Sequence, residues 1–217
     1  MLLTGFESYG GRSVNPAQQI VEALDGSTIA GIAVAGRTLP VVYAELEPRI
    51  ESLIAETAPR AVICLGLWPG EPTIRLERIA ANIADFEIPD NTGAMVHGPV
   101  VDGGPAALQS TLPLDAIRDR LLAADIPVRL SGSAGQYLCN ALMYHALSAS
   151  SLRQKAPACG FIHVPYLPRQ VAGMIADQRE GTGLELHQRG DLASMSLETM
   201  VTAIRLAIET TLAAATR

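Results

Sequence analysis

The chain has 217 residues, 48% of them hydrophobic and 18% charged, a composition that fills a core and excludes a disordered or fibrous protein. A formal net charge of −6 supplies no basic face for nucleic acid and disfavours an anionic membrane surface. The three cysteines, odd in number and without paired spacing, argue against a disulfide scaffold and for a reducing, cytoplasmic setting, and neither a signal-peptide pattern nor an apolar run of about 18 residues occurs.

"MLLTGF" predicts a short opening strand, and the glycine-bearing loop "ESYGGRSV" follows it. "NPAQQIVEAL" predicts a helix with Asn15 as N-cap and Pro16 at the first helical position, where a missing N–H is tolerated. "TIAGIAVAGRTL" reads as one strand, and "EPRIESLIAET" as a helix with Ile50, Leu53 and Ile54 on one face. "RAVICLGL" is a continuous apolar run, the pattern of a strand buried on both faces. "ERIAANIADFEIPDNTG" is less regular and extended, ending in a turn, and residues 94–105 predict a loop or small hairpin. "LPLDAIRDRLLAAD" is an amphipathic helix, "IPVRLS" a strand, and a further helix runs from near Cys139 to about Ser148. "CGFIHVPY" is a second buried strand, residues 177–191 read as a polar mobile loop, and the last helix buries Leu197, Met200, Val201, Ile204 and Ile208. Strands alternate with helices, which implies an α/β fold with a largely parallel sheet and helices on both faces. Sites in such sheets lie at the carboxyl ends of strands.

Cys139 follows the turn-like "SAGQY" and falls in the first turn of a helix. There the free N–H groups favour a thiolate and suit an oxyanion, as acyl transfer requires. A buried, inert thiol is the competing reading, and it is the better one for Cys64 and Cys159, which lie in or beside apolar strands. His163, inside "FIHVPY", is either a core histidine with satisfied nitrogens or a general base. Glu77, flanked by Arg75 and Arg78, is either a solvated ion-pair partner or the carboxylate that orients His163. His97, His145 and His187 have no sharper reading than surface or structural histidines. No HExxH, CxxC or clustered Asp–His spacing points to a metal, "GGRSVNP" lacks the lysine and spacing of a phosphate loop, and there is no GxSxG elbow.

Five stretches in order, "LLTGFESYGG…NP", "ERIAANIADFEIPDN", "GGPAA", "SAGQYLCN" and "GFIHVPY", together resemble the pyroglutamyl peptidase I family of cysteine peptidases, also called pyrrolidone-carboxylate peptidases. The resemblance spans residues 2–166. It implies a Glu–Cys–His triad of Glu77, Cys139 and His163 that removes an N-terminal pyroglutamyl residue from peptides through a thioester. It also implies a single-domain three-layer α/β/α sandwich over residues 1–217, no cofactor, a cytoplasmic location and a homotetramer. By the same analogy Phe6 and Tyr9 wall the substrate pocket, with Ile88, Tyr137 and Leu138 opposite, and Leu67 beside them. Three departures stand out. Tyr9 replaces the usual phenylalanine, and Leu67 replaces the usual glutamine in "GLWPGE". Glu87 replaces the arginine that in many members helps with the oxyanion, a change that is tolerable if Glu87 points away with Arg75 or Arg169 substituting. The same triad acting on another N-terminal amide or small lactam is the alternative activity, and a non-catalytic binding protein is the third reading.

Overall fold

The computed structural model describes residues 1–178 and 192–215. Strand β1 (Leu2–Phe6) is buried throughout. Helix α1 (Pro16–Leu24) starts as its sequence predicts: Asn15 is extended, and its side chain accepts the Ala17 N–H at 3.0 Å. The single strand expected next is three pieces. β2 (Thr28–Ile29) and β3 (Ile32–Ala33) form a tight hairpin, and β4 (Ala35–Leu39) alone joins the main sheet. The break falls at Ala30 and Gly31, at φ 48° and 76°, the left-handed pair that a two-residue hairpin turn needs.

Helix α2 (Tyr43–Thr57) begins before the expected start and carries Pro48 inside it. Its first N–H donates to Asp90 Oδ2 at 2.9 Å, an acceptor 47 residues away that no local pattern could announce. β5 (Ala61–Leu67) is buried at every residue. The irregular stretch after it supplies β6 (Ile74–Glu77), a member of the main sheet, then β7 (Ile79–Ala81) and β8 (Ala84–Asp85). The last two pair antiparallel with β10 (Ala107–Gln109) and β9 (His97–Gly98) respectively. α3 (Leu114–Leu122), β11 (Val128–Ser131), α4 (Leu138–Ser151) and β12 (Ala158–Val164) follow as predicted in kind and order. α5 (Pro168–Gln178) was not foreseen and takes up the start of the stretch read as a loop; the rest of that stretch, with His187, lies outside the described residues. α6 (Leu197–Ala214) closes the chain, capped by the Ser196 side chain.

The six-stranded sheet runs β11-β6-β12-β5-β1-β4, and every neighbouring pair is parallel except β6 with β12. Alternate residues along a strand face opposite sides. On β5, Ile63 and Leu65 therefore pack into one cluster with α1, α3 and α6, while Val62 and Cys64 pack into another with α2 and α4. These are the three layers of an α/β/α architecture.

The antiparallel junction gathers several polar and aromatic residues on one face. Phe161 lies opposite Glu77, His163 lies opposite Arg75, and on the other side His163 pairs with Gly66 of β5. Paired residues, and residues two apart on one strand, share a face. Arg75, Glu77, Phe161, His163 and Gly66 therefore form one contiguous patch, on the side covered by α4.

Candidate active site

A cavity of about 450 Å³ opens over this patch. Cys139 and His163 both line it, together with Tyr9, Leu67, Ile88 and Tyr137 of the anticipated pocket residues. Phe6 and Leu138 do not. Each is almost fully buried in the core, because β1 has no exposed residue and the first residue of α4 turns inward onto the sheet. A larger groove of about 640 Å³, near Ile54, Leu152 and Ala215, holds neither a thiol nor a histidine.

Cys139 is the second residue of α4. The N-cap, Tyr137, makes no side-chain capping bond, so the N–H groups of the first turn stay available to an anion. The thiol lies against the bare Cα of Gly66: a Cβ built there would stand 2.7 Å from Sγ and 2.8 Å from the Phe161 ring. On the sheet, His163 Nδ1 is bonded to Glu77 Oε1 at 2.8 Å, with both side chains buried. That bond fixes the ring and leaves Nε2 for proton transfer. The structure joins Glu77 to His163 directly. It brings Cys139 into the same cavity without a hydrogen bond between thiol and imidazole, a gap that substrate-bound geometry commonly closes.

Charge follows from burial. Desolvation holds His163 below the ordinary histidine range, with the Glu77 carboxylate opposing it. Burial, then the same carboxylate, pushes the Cys139 thiol up to about 12, against the helix-end N–H groups that favour the anion. Burial thus opposes charge on both groups of the resting site. Cys64 and Cys159 are fully buried free thiols raised by burial, in keeping with inert packing.

The pocket walls are aromatic and fixed. The Tyr137 ring sits between Tyr9 and Phe86, at centroid distances of 5.9 and 4.6 Å, and its hydroxyl donates to the Pro89 carbonyl. Asn140 ties α4 to the β7–β8 segment: its side chain accepts from the Ala81 N–H and donates to the Ala81 and Ile83 carbonyls. Glu87 is among the residues that line the cavity; Arg75 and Arg169 are not. Arg75 is instead buried under the site, bonded to Glu77. Sequence reasoning missed Trp68, the chain's single tryptophan, which lines the cavity and sets its ring edge-on to His163 at 5.0 Å. Its position just past a buried strand's carboxyl end was the available signal. Among the described residues no group of three or more His, Cys, Asp and Glu side chains is placed to hold a metal ion, and no helix is long and apolar enough to cross a membrane.

The family model for pyroglutamyl peptidase matches residues 1–214. The pyrrolidone-carboxylate peptidase of Pyrococcus furiosus is 40% identical over 210 residues, covering 96% of this chain and 98% of the relative. That of Bacillus cereus strain Q1 is 37% identical, covering 97% and 92%. The crystal structure of pyrrolidone carboxyl peptidase from Pyrococcus furiosus superposes with a TM-score of 0.90 at 39% identity, covering 99% of this chain and 98% of that one. With sequence and architecture matched from end to end, the chain belongs to the pyroglutamyl peptidase family.

Proposed function

We propose that this peptidase releases the N-terminal pyroglutamyl residue of peptides, with Cys139 as nucleophile, His163 as general base and then acid, and Glu77 as the group that orients His163. The observation that carries the reading is the buried 2.8 Å bond from Glu77 to His163 at the floor of a cavity that Cys139 also lines. The thiol passes its proton to His163 Nε2 as sulfur attacks the lactam residue's exocyclic carbonyl. The oxygen of the tetrahedral intermediate takes its negative charge onto the N–H groups at the start of α4. The carbon–nitrogen bond breaks, the amine leaves with the proton from the imidazolium, and a thioester remains. Water, deprotonated by His163, cleaves that thioester, releases pyroglutamate and restores the thiol. The uncharged, flat lactam suits the walls formed by Tyr9, Leu67, Ile88 and Tyr137.

The same reading treats residues 1–217 as one catalytic domain that needs no cofactor and works in the cytoplasm as a homo-oligomer, a tetramer by family resemblance; light scattering tests the assembly. The function is tested with a fluorogenic pyroglutamyl amide under reducing conditions, with prolyl and alanyl amides and Cys139→Ala as controls. Hydrolysis of the pyroglutamyl amide alone, lost in the variant, is expected. Hydrolysis of another N-terminal amide or lactam instead would shift the substrate class while keeping the triad, an outcome that Glu87 on the cavity wall makes worth the control.

A further inference from the structure

Four charged side chains alternate in sign from the surface to His163. Arg129 grips Glu71 through two bonds, at 3.1 and 2.6 Å. Glu71 stands 3.6 Å from Arg75, and Arg75 Nε donates to Glu77 Oε1 at 2.6 Å. That oxygen is the one bonded to His163. Arg75 does more than neutralise a carboxylate. Its Nη2 donates at 2.6 Å to the carbonyl of Ser133, in the turn that leads into the Cys139 helix. Its guanidinium lies 3.6 Å from the centre of the Trp68 ring, the ring that meets His163 edge-on. The same indole packs over Gly135, where a Cβ would stand 3.3 Å from the ring. One buried cation thus touches the orienting carboxylate, the aromatic cover of the base and the turn before the nucleophile.

We propose that Arg75 is a positioning residue of this site, holding Glu77, Trp68 and the turn at residues 133–135 in one fixed arrangement around His163. The inference rests on the roles given above to Cys139, His163 and Glu77. A planar fork is required, because two edges donate while the face stacks, and lysine offers neither the plane nor the geometry. Charge gives the arrangement a second consequence. The groups facing His163 are Glu77 and Arg75 from β6, Glu71 from the turn before it, and Cys139 from α4. Glu71 is itself neutralised by Arg129, and Asp85 and Glu87 stand on the cavity wall. With Arg75 present, the two glutamates are matched by two arginines and the imidazole stays a free base. Without it, one negative charge is unmatched and the imidazolium is favoured, which removes the base at pH values where the native site is active.

The test uses the full chain, wild type and Cys139→Ala beside Arg75→Met, Arg75→Lys and Trp68→Leu. Two readouts are followed against pH: hydrolysis of the fluorogenic pyroglutamyl amide, and alkylation of Cys139 by iodoacetamide, located by mass spectrometry. Arg75→Met is expected to lower kcat by about 10- to 100-fold with little change in KM, as a misplaced catalytic group does. The acid limbs of both profiles should move to higher pH. Arg75→Lys should return the limbs to their native position while recovering only part of kcat. Trp68→Leu, which keeps the charges, should lower kcat without moving the limbs. Arg75→Met with kcat within about twofold of wild type and unmoved limbs overturns the proposal. So does Trp68→Leu with native kcat, a result that decides the matter if Arg75→Met does not fold. Absence of hydrolysis in the wild type would instead overturn the assigned substrate, and the alkylation profiles would still decide the role of Arg75.

Discussion

Gly66→Ala puts the packing of the site to a quantitative test. Gly66 is on a fully buried strand, opposite His163, and its φ is not in the left-handed region, so the new methyl group meets only a steric objection. That objection is severe: the Cβ would stand 2.7 Å from Cys139 Sγ and 2.8 Å from Phe161 Cζ. Overpacking a core costs about 1–3 kcal/mol. Replacing a strand glycine by alanine returns about 0.5–1 kcal/mol of backbone entropy. The net loss is therefore between about zero and 2.5 kcal/mol, or up to roughly 10 °C in Tm for a chain of this size. Phe161 is fully buried and its ring lies 4.7 Å from that of His163, so it resists movement. The thiol needs only to rotate about its Cα–Cβ bond. The cheaper relaxation thus removes the proposed nucleophile from its place and spares the fold. A displacement of about 1 Å costs on the order of 100-fold in rate. Calorimetry should show a small fall in Tm, and the fluorogenic amide assay a fall in kcat of that order. Native activity in a folded Gly66→Ala protein would refute the placement of Sγ over Gly66.

Glu77→Gln leaves the buried Arg75 guanidinium without its nearest anion, a change that costs about 3–5 kcal/mol in comparable buried pairs. The low end is expected, since Glu71 stays 3.6 Å away, and an unchanged urea midpoint would contradict the pairing. His163 and His145 are both held below the ordinary range by burial, so between their folded values and about 6.5 the unfolded chain binds protons that the folded one does not. Stability is then complete above about pH 6.5 and declines as pH falls through that window; His145→Gln should remove part of the slope, and a Tm flat from pH 7 to 5 would count against both assignments. Glu87→Arg replaces a carboxylate on the cavity wall with a cation, which favours the negative charge of the proposed tetrahedral intermediate, and kcat/KM should rise, by about tenfold at most for so exposed a side chain. A fall instead would mean that Glu87 contacts substrate productively.

What could be read from the sequence was local or continuous. α1 announces itself through Asn15 and Pro16, and β5 and β12 through unbroken apolar runs. Cys139 was legible because turn and helix signals adjoin it. Features set by distant pairing were not legible. β6 is four residues long and belongs to the main sheet only because β11 and β12 flank it. α2 gains its first turn from Asp90, and the break at Ala30–Gly31 lacks the usual Asn-Gly signature. Arg75 and Glu77 did leave a trace: two charges alternating with Ile74 and Leu76 in a buried strand require partners, and the partners proved to be each other and His163.

With the roles proposed for Glu77 and His163, the antiparallel junction between β6 and β12 makes catalysis a gauge of folding fidelity. Glu77 and His163 are 86 positions apart and meet only through the pairing of those two strands. Slipping β6 by one residue would turn Glu77 toward the α3 and α6 layer and bring Leu76 round to the imidazole. Such a chain would keep its helices and most of its far-ultraviolet signal, yet be silent toward substrate. During refolding, recovered turnover should therefore lag recovered helicity, and the interval between them times the search for register.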